Sequence, residues 1–161
     1  KAAFEVQMVA NILHRAAAMP TEPQGLVLPS DGDRISIARR VPRGVIGIIS
    51  PFNFPLILSC RAVAPALATG NAVVLKPDPR TALTGGFIIA RLFEEAGLPK
   101  GVLQVLPGGA EAGEAICSDP DIAMVSFTGS SAVGRKIGEI DVGYETTTAT
   151  VVAVIAGEGA A

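Results

Sequence analysis

Histidine occurs once in the 161 residues and cysteine only twice. Each scarcity removes a class of chemistry. His14 has no companions with which to build a metal centre, so it reads as a polar-face residue of the first helix. Cys60 and Cys117 both fall in apolar helical contexts, which argues against a disulfide framework and makes the cytoplasm the expected compartment. An excess of either charge is missing too: 13 Lys and Arg against 15 Asp and Glu leave a net −2. Arg39, Arg40, Arg43, Lys76 and Arg80 form no basic stripe, so neither nucleic acid nor an anionic membrane is expected as a partner. The mean hydropathy of +0.47 is high. It comes as short Val, Ile and Ala runs broken by Gly and Pro, none long enough to cross a bilayer. Residues 1–18 mix acid and base on an amphipathic pattern and do not read as a signal peptide.

What is present is one domain's worth of apolar chain, 49% of residues, enough for a sizeable core. Residues 1–18 read as a helix, with Phe4, Met8, Ile12 and Leu13 recurring near the helical period. Residues 24–42 read as an extended ribbon around a Ser30-Asp31-Gly32-Asp33 turn, a hairpin able to serve assembly and not chemistry. From 43 to 140 strands alternate with helices. Strands are expected at 45–49, 72–75, 102–106 and 123–127, and helices at 56–69, 81–96, 111–117 and 130–139. Val45 to Ile49 is wholly apolar, as a parallel sheet covered on both faces requires. The pattern predicts an α/β fold with a Rossmann-like, doubly wound parallel sheet. Residues 141–161 differ: a β-branched, nearly uncharged run over 146–155 offers one strand and no helix.

Ligands of such sheets sit at the carboxyl ends of the strands, and the unusual residues lie there. Phe127-Thr128-Gly129-Ser130 reads as a strand running into a glycine turn and a helix, a way to aim backbone N–H groups at phosphate. Gly129 and Gly134 also fit a mere tight turn and close helix contact. Lys76 can bind ribose hydroxyls or phosphate, or be an exposed strand-end lysine. Asn53 can stabilise an oxyanion or simply cap the following helix.

Taken together, Ser50-Pro51-Phe52-Asn53-Phe54-Pro55-Leu56, the run Ala64 to Pro77, Gly97-Leu98-Pro99 and Phe127-Thr128-Gly129-Ser130 closely resemble the aldehyde dehydrogenase superfamily. The resemblance covers Lys1 to Ile140 in unbroken order. Lys76 to Thr81 and Pro107 to Gly113 look most like the branch acting on aromatic aldehydes such as benzaldehyde or vanillin. It implies NAD or NADP as cofactor, an aldehyde substrate and a homo-oligomer. It implies that Asn53 donates to the aldehyde oxygen, that Lys76 holds the adenosine ribose, and that Ser130 opens the helix meeting the pyrophosphate. Gly129 would then supply the turn and Gly134 the close packing. Ile49, Ser50, Pro51 and Phe52 would line the dinucleotide path, with Phe127 and Thr128 at the end of the last strand and Gly109 and Gly113 on the adenine side.

The chain departs from the family where it has Pro79, since many members carry there an acid that contacts the ribose. That departure makes NADP an expected ligand beside NAD. Phe52 replaces a common Trp and keeps an aromatic wall. The resemblance further implies a glutamate base in a Glu-Leu-Gly-Gly motif and a cysteine nucleophile, and the sequence has neither. Cys60 and Cys117 read as structural. Residues 1–140 are therefore expected to be a partial NAD(P)-binding domain, inactive alone. Residues 141–161 are expected to be a divergent tail from a shifted reading frame. Exposed apolar surface and self-association are expected consequences. The alternative reading is a non-catalytic nucleotide-binding or oligomerisation module.

Overall fold

A computed structural model describes residues 1–141 and 152–155. Helix α1 (Ala2–Ala18) leads through a 3-10 turn (Met19–Thr21) into an antiparallel ribbon of β1 (Gly25–Leu28) and β2 (Ser36–Arg39). The alternating part follows as β3 (Val45–Ser50), α2 (Pro55–Ala68), β4 (Ala72–Pro77), α3 (Ile88–Glu95) and β5 (Leu103–Val105). It continues with α4 (Ala110–Ser118), β6 (Ile122–Gly129), α5 (Ser131–Asp141) and β7 (Val152–Ile155). The last five strands form one parallel sheet in the order β5-β4-β3-β6-β7. The chain lays down β3, β4 and β5 outward in one direction, then returns to place β6 on the other flank of β3. That reversal puts a topological switch point between β3 and β6, at their carboxyl ends.

Period-two alternation divides the core. Ile46, Ile48, Val73 and Leu75 point to one face, where they meet Val9 of α1, Cys60 and Val63 of α2, and Ile89 of α3. Val125 and Phe127 point to the other, against Ile116 of α4 and Ile137 of α5, with Ile49 and Val74 beside them. Burying each such aliphatic side chain contributes about 1.5–3 kcal/mol. Gly47 permits α4 to approach, because a Cβ there would stand 2.4 Å from Ile116 Cγ2. Asn71 fixes the end of α2 to the start of β3. It accepts from the Arg43 and Gly44 N–H groups and donates to the Ala66 carbonyl and Thr69 Oγ1.

The doubly wound α/β sheet is as the pattern predicts, with three differences in detail. The helix expected over 81–96 is broken into a 3-10 turn (Pro79–Thr81), a π-helical stretch (Leu83–Phe87) and α3. Gly85 and Gly86 sit where a Cβ would reach 3.1 Å from Pro55 Cβ and 2.8 Å from Pro77 Cγ, so tight packing on Pro77 governs this turn. β6 also continues two residues beyond its expected end, through Thr128 and Gly129, so Gly129 is its last residue. Finally, β7 supplies the tail's expected strand only over its last four residues, paired parallel to β6. The rest of that run, and the end of the tail, lie outside the described residues.

Candidate functional site

On the α4 and α5 side of the switch point, alternation brings Ile49, Lys76 and Phe127 together. Lys76 is only 7% exposed. Its stem lies along Gly113 of α4, where a Cβ would stand 3.6 Å from Lys76 Cδ and Cε and 3.8 Å from Ile49 Cδ1. Among the described residues its ammonium has no hydrogen-bond or ion-pair partner. Its charge nonetheless helps to lower the carboxyl pKa of Asp78 and of Glu111. A cation so enclosed and unpaired suits an oxygen-rich ligand.

Three helices begin at this edge, and their N-termini differ in what occupies them. The α2 N-terminus receives a carboxylate from another helix: Glu5 of α1, buried, accepts the Leu56 N–H at 3.1 Å. At α4, Glu111 accepts the Gly109 N–H at 2.8 Å, and backbone N–H groups, its own first, hold its carboxyl below the usual range. The α5 N-terminus has only the neutral Ser130 hydroxyl, which accepts from Val133 at a long 3.4 Å. A helix start without a carboxylate, beside the switch point, is where an anion meets least repulsion.

Phe127 explains one glycine there. A Cβ on Gly129 would lie 2.4 Å from Phe127 Cζ, so that glycine seats the ring, whereas one on Gly134 would lie 3.6 Å from its Cε1 and make only an ordinary contact. Gly129 ends β6 with Ser130 alone between it and α5 and has no positive φ, so what this position needs from glycine is space.

Asn53 lies in the exposed loop between β3 and α2. The helix-capping alternative is not realised, since Phe54 holds the cap position and Glu5 does the capping. The Asn53 carbonyl accepts from the Lys1 ammonium, which also stands 4.5 Å over the Phe54 ring. Its side-chain amide makes no hydrogen bond among the described residues and remains available. Pro51 is half-buried, and the Phe52 ring carries the Arg80 guanidinium at 3.7 Å. Arg80 is in turn held by Asp78 through two 2.8 Å bonds.

Two expected site residues turn their side chains to the opposite face. Ser50 is buried against Ser59 at 2.6 Å, and Ser59 donates to the Gly85 carbonyl, so the Ser50 hydroxyl serves the α2 contact. Thr128 accepts from Arg61 of α2 at 3.2 Å. It lines a separate groove of about 830 Å³ with Arg61, Met124 and Ser126. Cys60 is buried within α2 and its thiol is pushed up to about 12 by that burial. Cys117 packs half-buried against the α4 and α5 cluster. No described helix is long and apolar enough to cross a membrane.

Sequence reasoning missed Glu5, Arg61, the Asp78–Arg80 pair and the Glu111 cap. Only Glu5 left a signal, standing one turn before buried Val9 on the face that packs on α2.

The chain matches the model of the aldehyde dehydrogenase family over residues 1–158, which continues past Ile140. A vanillin dehydrogenase of an Amycolatopsis species is 61% identical over 139 residues, 86% of this chain and 29% of the relative. An NAD(+) benzaldehyde dehydrogenase of Pseudomonas putida is 52% identical over 140 residues, with the same shares. A crystal structure of an NAD-dependent benzaldehyde dehydrogenase from Corynebacterium glutamicum is similar with a TM-score of 0.88 at 43% identity, covering 94% of this chain and 33% of that one. The chain spans about 29% of the length of the curated relatives it matches.

Proposed function

The chain belongs to the aldehyde dehydrogenase family, and we propose that its crevice beside α4 and α5 binds a nicotinamide dinucleotide, NAD or NADP. The single observation that carries this reading is the pairing of an enclosed, unpaired Lys76 with an α5 N-terminus free of carboxylates. Lys76 would hold ribose oxygens, the first N–H groups of α5 the pyrophosphate, and Gly113 leaves room beside the Lys76 stem on the adenine side. Hydride acceptance is the chemistry that the dinucleotide would supply when bound.

In a polypeptide of the relatives' length the reaction is the oxidation of an aldehyde to a carboxylic acid, and the relatives' names favour an aromatic one. Asn53 then donates its unengaged amide to the aldehyde oxygen, a contribution on the order of 3 kcal/mol to the barrier. A thiolate nucleophile and a carboxylate base are also required. Cys60 does not serve, because burial keeps it protonated, and Cys117 is packed in a core cluster. We therefore assign the 161-residue chain dinucleotide binding without turnover.

A second reading, an assembly module, draws on the ribbon, where Leu26, Val27, Ile35 and Ile37 are all more than half exposed. Calorimetric titration with NAD and NADP, followed by an absorbance assay with benzaldehyde, separates these readings. We expect saturable binding and no NAD(P)H. Absence of binding by a folded chain would leave the assembly reading, and enzyme-like turnover would show a nucleophile misassigned.

A further inference from the structure

The loop carrying Asn53 is held by the side chains around it, and Asn53's own side chain takes no part. Phe52 and Phe54 flank it, and each ring carries a cation. The Arg80 guanidinium stands 3.7 Å over Phe52, and the Lys1 ammonium stands 4.5 Å over Phe54 and also donates to the Asn53 carbonyl. Before the loop, Ser50 is buried against Ser59, which donates to the Gly85 carbonyl at 2.7 Å. After it, Pro55 packs on Gly85, where a Cβ would stand 3.1 Å from Pro55 Cβ.

Of the two cations, Arg80 has the firmer base. Asp78 follows directly on β4 with φ −61° and ψ 134°, the extended conformation that Pro79 imposes on the residue before it. Its carboxylate accepts the Arg80 N–H at 3.0 Å and the guanidinium through two bonds of 2.8 Å. A planar fork gripped along one edge presents its flat face, and that face lies on the Phe52 ring. The Arg80 side chain is 65% exposed, so the ion pair by itself restrains little. Being fixed at both edge and face is what restrains it.

We propose that Arg80 is a positioning residue: gripping Asp78 and stacking on Phe52, it ties the Asn53 loop to the end of β4 and fixes where the Asn53 amide points. This rests on the reading of the crevice as that of an aldehyde dehydrogenase and adds what preorganises its oxyanion donor. Such a donor is effective when it is already in place as charge develops on the oxygen. Lys76 stands two residues before Asp78 on the same strand end, so the clamp also joins the loop to the strand carrying the candidate ribose contact.

The test is amide-nitrogen NMR relaxation of the whole chain without ligand, read at Asn53. Wild type is expected to give a backbone order parameter there of about 0.85, and Arg80→Ala and Phe52→Leu each to lower it below about 0.6. The double variant is expected to be no lower than either single one, because both remove the same contact. Phe52→Tyr, which keeps the ring face, is expected to retain the wild-type value, whereas Arg80→Lys, which lacks the planar fork, is expected to lose it. The urea midpoint and the order at Val63, buried within α2, are expected to stay as in wild type, a pattern that general loosening would not give. A mobile Asn53 in wild type, R80A and F52L leaving it rigid, or an equal drop at Val63 would overturn the clamp. Failure of the folded wild type to bind NAD would overturn the reading of the crevice and leave the clamp standing.

Discussion

Replacing Glu5 by alanine tests how the loop carrying Asn53 is held. Glu5 is 7% exposed, and its Oε2 accepts the Leu56 N–H, one of the N–H groups that α2 cannot satisfy internally. Alanine leaves that part-buried donor without a partner, at a cost of about 1–3 kcal/mol. Loss of a cap costs about 1 kcal/mol by itself, so the two figures describe one effect and are not summed. An opposing term exists: none of the salt bridges among the described residues involves Glu5, so its removal also relieves a buried charge. We expect Glu5→Ala to destabilise by about 1–2 kcal/mol and Glu5→Gln, which keeps an acceptor oxygen, by under about 1 kcal/mol. Urea unfolding at unchanged slope gives the total, and amide exchange gives the location. In E5A the Leu56 amide is expected to lose protection while Val63 and Ala64, buried in the middle of α2, change only by the global amount. An E5A chain as stable as wild type, with Leu56 protection intact, would refute the idea that α1 holds this loop.

Gly86→Ala is expected to destabilise by about 1–3 kcal/mol in the same unfolding assay, because its Cβ would stand 2.8 Å from Pro77 Cγ and 2.9 Å from Val105 Cγ1. Cys60 is expected to resist iodoacetamide at pH 8 until urea unfolds the chain, as read by mass spectrometry. The sign of its pH effect follows: the folded thiol is raised from 9.0 to about 12, so its contribution is intact below pH 9 and drains away as pH rises toward 12. Alkaline unfolding curves of wild type and Cys60→Ala should therefore converge over that window. Gly113→Ala should bind NAD nearly as wild type, since its Cβ makes only ordinary contacts, whereas the branched Gly113→Val should crowd the Lys76 stem and weaken binding about tenfold or more.

Much of the fold was legible because its signals are local. Val45 to Ile49 is apolar on both faces and became the central strand, and Gly70 and Gly97 marked the ends of α2 and α3 with positive φ. The candidate motifs were legible as a spacing pattern, and the switch point explains why they converge. What escaped was set by contacts between residues far apart in sequence. Glu5 meets a donor 51 residues away, and Arg61 meets Thr128 across 67. The facing of Ser50 and Thr128 depends on strand alternation counted from the core, which a motif does not carry. The space that Gly129 leaves was not legible for the same reason: it is set by the Phe127 ring folding back over it.

The most direct test of the central claim is a backbone-amide NMR titration of the chain with NAD. Saturable shifts are predicted at Gly129 and Ser131 to Gly134, at Lys76 and at Gly113, with little change at Arg61 or Met124 on the opposite face. Shifts confined to the Arg61–Thr128 groove, or none at all in a well-dispersed spectrum, would contradict the assignment of the α4 and α5 crevice as the dinucleotide site.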